Sequence, residues 1–189
     1  VSAQIPDSIT SISASAFRDC SNLENVNLPK NLISIGNRAF FNCVSIRNIY
    51  IPKTLVEVDT YGWNWWYPFE GCSNLEKVEF PLALRKIGSQ AFYQTALKEL
   101  ELPDGLREIG DSAFLKCNNL ESVKIPESVK RIGKWAFHGC HRLKVVEIAH
   151  EPEFIGDWIV NKSTVIRCRK DSKVEAYCKK FEFAVEYIE

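Results

Sequence analysis

A period of about 23 residues runs through this chain and constrains its fold more than any motif does, because self-similar sequence builds self-similar structure. Prolines that close an apolar-x-apolar run stand at Pro6, Pro29, Pro52, Pro81, Pro103 and Pro126, in steps of 23, 23, 29, 22 and 23. Six residues before them come Leu23, Ile46, Leu75, Leu97 and Leu120, and three before come Val26, Ile49, Val78, Leu100 and Val123. Leu143, Val146 and Ile148 keep the period where Ala149 replaces proline. Three residues after the prolines come Ile9, Leu32, Leu55, Leu84, Leu106 and Val129, and six after come Ile12, Ile35, Val58, Ile87, Ile109 and Ile132. Gly36, Gly88, Gly110, Gly133 and Gly156 follow, then Ala-Phe at 16–17, 39–40, 91–92, 113–114 and 136–137, with Pro68-Phe69 as the variant. Three residues beyond the Phe stand Cys20, Cys43, Cys72, Cys117 and Cys140.

A unit of this length cannot bury its own apolar face, so its stability must come from stacking on its neighbours. The period therefore predicts an α/β repeat solenoid. Each L-x-x-V-x-I segment has the alternation and β-branched content of a short strand, and stacked copies form a parallel sheet on one face at about 4.8 Å per coil. Six to seven such coils span roughly 30–35 Å. The L-x-x-I-G segment predicts a second short strand, with glycine permitting the bend after it, and x-x-A-F-x-x-C has room for only one helical or 3₁₀ turn. Proline ends the ladder where its missing N–H does no harm.

The last segment breaks the period. Val174, Tyr177, Cys178 and Phe181 form one apolar helical face, and Ser172 with Glu175 makes a capping box. The expected organisation is a solenoid over residues 1–160, with an insertion at 59–68, and a capping segment over 161–189 with a helix near 172–181 between short strands. The chain begins inside the strand half of a coil and has no Met, so the expectation is a piece of a longer solenoid or an open first edge.

These residues resemble the BspA-type leucine-rich repeat, whose I-P-x-S-V-x-x-I-G-x-x-A-F-x-x-C-x-x-L pattern runs from Ile5 to about Ile148. The departures are a six-residue insertion in the third coil, one residue missing after Phe92, and Ala149 in the proline column. The resemblance implies a right-handed leucine-rich-repeat coil stack. It also implies a secreted or cell-surface protein of host-associated bacteria or parasitic protists, with adhesion to host proteins as the expected role.

Composition narrows the partners. Lys+Arg and Asp+Glu number 24 each and are interspersed, which removes the basic footprint of a nucleic-acid or anionic-membrane binder. No apolar run approaches the roughly 18 residues a membrane span needs. No catalytic motif is present, neither H-E-x-x-H, G-x-S-x-G nor a phosphate-cradling glycine loop, so the chain is expected not to be an enzyme and to need no cofactor. Five of the seven Cys share one column, which predicts reduced, buried thiols packed as a ladder rather than a disulfide framework, although neighbouring ladder thiols could also oxidise. Cys168 and Cys178 fall in the cap, where an oxidising compartment would let them pair. His138, Cys140 and His141 resemble a metal cluster, but the Cys belongs to the ladder and no second pair completes a zinc site, so no metal is expected.

Two surfaces remain as binding candidates. The insertion carries Tyr61, Trp63, Trp65, Trp66 and Tyr67, which either cover neighbouring coils or offer flat faces to a glycan or peptide. The outward strand columns read Asn25, Asn48, Lys77, Glu99, Ser122, Val145 and Asn27, Tyr50, Glu79, Glu101, Lys124, Glu147. They form either a solvated sheet face with charges compensated between strands or a mildly acidic protein-binding surface. Trp135 and Trp158 lie one period apart and are expected to stack. The expected function is a monomeric, non-catalytic module that binds a protein or glycan outside the cell. The alternative is a structural spacer of a larger surface protein, with no ligand of its own.

Overall fold

The computed structural model describes residues 1–55 and 67–188 together with the backbone of Glu57 and Val58. The strand segments of the repeat become β1 (Ser2–Gln4), β2 (Ser11–Ile12), β3 (Asn25–Asn27), β4 (Ser34–Ile35), β5 (Asn48–Tyr50), β6 (Glu57–Val58), β7 (Lys77–Glu79), β8 (Lys86–Ile87), β9 (Glu108–Ile109), β10 (Ser122–Ile125), β11 (Arg131–Ile132), β12 (Val145–Ile148) and β13 (Phe154–Ile155). The capping segment adds β14 (Val165–Cys168), helix α1 (Lys173–Phe181) and β15 (Val185–Tyr187). Every strand pair is parallel and in repeat register: Asn48 faces Lys77, Val123 faces Val146, and Ile109 faces Ile132. The chain is a parallel-strand solenoid of about eight turns with one helix near its C-terminus.

The coils meet on three sides. One side carries the first strands, in the ladders β1-β3, β5-β7 and β10-β12-β14-β15, and a second the L-x-x-I-G strands, in β2-β4 and the unbroken β13-β11-β9-β8-β6. On the third side, N–H groups of the Ala-Phe corner donate to the following coil, as in Phe17 to Ala39, Phe92 to Ala113 and Phe137 to Ile159. Each coil thus pairs its backbone with its neighbours, which an isolated 23-residue unit could not do.

The Ala-Phe corner is one turn in length, but it is made of successive N–H(i)→O(i−3) turns rather than helix: Ala16 to Ser13, Arg18 to Ser15, Cys20 to Phe17. Left-handed residues interrupt it at two recurring positions. Ser15, Arg38, Gln90, Ser112 and Trp135 precede the Phe by two, and Trp158 precedes Val160, which takes the Phe column, by two; their φ is 53–57°. Asp19, Asn42, Gly71, Gln94, Lys116 and Gly139 follow it by two, with φ of 57–74°. The Asp, Asn and Gly of the second set are the residues that tolerate this conformation best.

The glycine column has a different cause from the bend expected of it. A Cβ on Gly36, Gly110, Gly133 or Gly156 would sit 2.3–2.5 Å from a backbone nitrogen of the preceding coil. Glycine is required there because adjacent coils touch through their backbones.

The core is columnar. Phe17, Phe40, Phe69, Phe92, Phe114 and Phe137 stack successively with ring centroids 5.1–5.5 Å apart and planes within 9°. Each fully buried ring contributes about 2–3 kcal/mol of transfer free energy, and the offset stacking about 0.5–1.5 kcal/mol per pair. The helix then replaces a further coil. Trp158 meets Phe181 and Phe183 edge-on at 5.4 and 5.8 Å, so Trp158 packs into the cap instead of stacking on Trp135. The Tyr177 hydroxyl donates to the Gly156 carbonyl and accepts from the Ile159 N–H, taking over bonds that another coil would make.

Candidate functional site: the outer strand face

Parallel register places every second residue of the first strands outward, so the face is two columns of side chains running the length of the solenoid. The inward residues between them are core: Val26, Ile49, Val78, Leu100, Val123, Val146 and Ile166 are at most 9% exposed. No element among the described residues covers the outward columns.

The face divides into three zones. The first coils present Asn25, Asn27, Asn48 and Tyr50, all exposed and uncharged, with Tyr50 64% exposed. The middle presents Lys77, Glu79, Glu99 and Glu101. Lys77 Nζ pairs with Glu79 Oε1 at 2.8 Å, while Glu99 and Glu101 have no ion-pair partner among the described residues. Glu79 raises the Lys77 ammonium pKa above its ordinary value, and Glu101 and Glu99 add to the effect. The last coils are compensated: Lys124 pairs with Glu147 at 3.1 Å and Arg167 with Glu186 at 2.9 Å, alternating in sign along one column. Charge is therefore compensated between strands in the C-terminal zone, and carboxylates are in excess in the middle one.

The sheet is interrupted in the middle zone, as it is between β3 and β5. Residues 99–101 form no strand, and β7 has no ladder to β10. A cleft of about 300 Å³ opens there, lined by Lys77, Val78, Glu79, Phe80, Glu99 and Glu101. The preceding turn is one residue short. Thr95 occupies the cysteine column, with its hydroxyl donating to the Phe92 carbonyl at 3.0 Å and lying 3.2 Å from Cys117 Sγ. The missing residue thus falls between Thr95 and Leu97. Counting three residues on from Phe92 would have assigned Thr95 to this column from the sequence.

Of the insertion, Tyr61, Trp63, Trp65 and Trp66 lie outside the described residues. Tyr67 at its base is 5% exposed, with the Arg38 guanidinium 5.5 Å above its ring. Arg38 Nε also approaches Glu70 Oε2 at 3.7 Å, and burial raises the pKa of both Tyr67 and Glu70.

The remaining candidates serve the scaffold. Each later ladder thiol donates to the Phe carbonyl of the coil before it: Cys43 to Phe17, Cys72 to Phe40, Cys117 to Phe92 and Cys140 to Phe114, at 2.9–3.2 Å. Burial pushes the Cys43 thiol up to about 11 and Cys72 higher still, so both remain protonated donors. All seven Cys are free thiols, and only Cys20 is exposed. Cys168 and Cys178 are buried side by side in the cap, and burial raises both, Cys178 to about 12. His138 Nδ1 lies 3.3 Å from the Val160 carbonyl, and His141 is exposed. No three His, Cys, Asp or Glu side chains converge as a metal site among the described residues.

Residues 1–64 and 66–174 match the family model described as a BspA type leucine-rich repeat region, in six copies. The chain is similar to a leucine-rich repeat protein of Bacteroides ovatus, with 27% identity and a TM-score of 0.72 over 100% of this chain and 45% of that one. It thus spans about half the length of that relative. Two further structures share the fold. The Treponema pallidum leucine-rich repeat protein is 22% identical with a TM-score of 0.53, over 98% of this chain and 85% of that one. A leucine-rich cell surface protein of Faecalibacterium prausnitzii is 21% identical, also with a TM-score of 0.53, over 91% and 61%. No curated protein matches the chain.

Proposed function

The chain belongs to the BspA-type leucine-rich repeat family, and on that premise we propose that it is a non-catalytic module that binds a protein or glycan through its outer strand face, within a secreted or cell-surface protein acting in adhesion. The observation that carries this reading is the middle zone, where Glu79, Glu99 and Glu101 face one ammonium across an interrupted sheet. Charges that serve only solubility are paired along the column, as Lys124, Glu147, Arg167 and Glu186 are. Here the excess of carboxylates is left open, which suits a partner with a basic patch and gives an association weakened by salt. Among the described residues no helix is long and apolar enough to cross a membrane. The cell-surface description of the Faecalibacterium protein is consistent with the proposed location.

Probing an array of host matrix proteins and glycans with residues 1–189 tests the proposal. The expected result is binding that falls with added salt and is lost in Glu99→Lys/Glu101→Lys. Replacing Trp65 and Trp66 with Ala tests the insertion separately: lost binding at an unchanged melting temperature assigns it to the ligand, and a large drop in melting temperature assigns it to packing. No binding above background in the unaltered chain favours the spacer.

A further inference from the structure

We propose that the first zone of the strand face is a subsite for a neutral saccharide, with Tyr50 as the stacking platform and Asn25, Asn27 and Asn48 as the hydroxyl-binding groups. This rests on the strand face being the binding surface but does not use Glu99 or Glu101 of the acidic zone. The cleft there measures about 430 Å³, within the range of small-molecule sites. Val26 and Ile49 form its floor, and Lys77 and Glu79 close one end.

Three observations select the ligand chemistry. First, the lining carries no net charge, because its only ionised groups, Lys77 and Glu79, pair with each other at 2.8 Å. A charged ligand would have no counter-charge there. Second, none of the Asn25, Asn27 and Asn48 amides makes a side-chain hydrogen bond among the described residues, so each offers a donor and an acceptor, the pattern that adjacent sugar hydroxyls satisfy. The Tyr50 ring, 64% exposed, makes no ring contact among the described residues and is free to lie against the C–H face of a pyranose. Third, no ladder joins β3 to β5, so their facing edges add backbone donors and acceptors to the cleft. The two strands nevertheless stay within 8 Å in Cα distance. A peptide inserted between them as a strand would need about twice the 4.8 Å strand spacing, which argues against a β-strand ligand.

Titration of labelled protein with the methyl glycosides of glucose, galactose, mannose and N-acetylglucosamine, with glucuronate as the charged control and tetra-alanine as the peptide control, tests the site. Shifts of the Asn25, Asn27 and Asn48 side-chain amide signals are followed by NMR. The expected result is a saturable shift with at least one neutral glycoside, weakened about tenfold in Tyr50→Ala, whose melting temperature stays that of the parent. The proposal is overturned by no response to any glycoside, by a response to glucuronate or tetra-alanine alone, or by undiminished affinity in Tyr50→Ala. If it is overturned while array binding persists and remains sensitive to Glu99→Lys/Glu101→Lys, the broader binding role stands without this subsite.

Discussion

Two single-residue columns hold adjacent coils together, and each can be tested alone. The ladder position requires a side chain small enough for the corner and able to donate to a Phe carbonyl: Cys117 reaches Phe92 of the preceding coil, and Thr95 reaches Phe92 of its own. A native thiol titration is expected to count one fast-reacting group, Cys20, and denaturation without reductant all seven. More than one fast thiol in the native state, or fewer than seven after unfolding, would contradict the buried, reduced ladder. Gly133→Ala is expected to cost about 3 kcal/mol or more in urea unfolding, because the added methyl sits 2.4 Å from the Asp111 nitrogen and the obstacle is backbone. A loss under about 1 kcal/mol would mean that the coils slide apart readily.

At the scale of the element, α1 depends on one carboxylate. Glu175 Oε2 accepts from the Asp171 N–H at 2.6 Å, and Oε1 accepts from the Tyr187 hydroxyl at 2.8 Å and pairs with Lys179 at 2.7 Å. The Ser172 hydroxyl accepts from the Glu175 N–H, completing a capping box shifted by one residue, since the carboxylate reaches Asp171 instead of Ser172. Lys179, then Tyr187 and the Asp171 N–H, hold the Glu175 carboxyl at about 2, against an ordinary value of 4.5. A pKa depressed in the fold means that the stabilisation is complete above about 4.5 and is lost as pH falls towards 2. The melting temperature is expected to drop across that window, and Glu175→Gln to shrink the drop. An equal drop in the variant would assign the acid sensitivity to Asp19, Glu76, Glu153 and Glu182, whose pKa values are also lowered by hydrogen bonds and nearby cations.

For the whole molecule, the ladders predict uneven stability. The outer sheet is continuous only in β10-β12-β14-β15 and is broken into the pairs β1-β3 and β5-β7 before residue 99. In a solenoid each coil is stabilised by its neighbours alone, so a broken ladder permits local opening. Hydrogen exchange is expected to be slowest at Val146 and Ile166, within the four-strand ladder, and faster at Val26 and Ile49. Uniform protection along the chain would show that the Phe stack, not the ladder, sets cooperativity.

The repeat was legible because stacking demands the same residue at the same place in every coil: the prolines, Phe column and apolar columns each name a position in the core. The helix was equally legible, since Ser172, Glu175 and the i, i+3, i+4, i+7 apolar face are local signals, and it spans Lys173–Phe181. The outer strand face was legible only as two columns of outward residues. Its division into an amide zone, an acidic zone and a compensated zone depends on which charges reach each other across coils, and on where the ladder opens at β3 and at residues 99–101. Those are properties of distance, and one-dimensional spacing carries no distances between side chains. The sequence alone therefore determined the solenoid and its cap, through periodicity and local capping chemistry. The tertiary structure decided why the glycines are obligatory, where the charges are left open and where a ligand could enter, because each depends on how closely neighbouring coils approach.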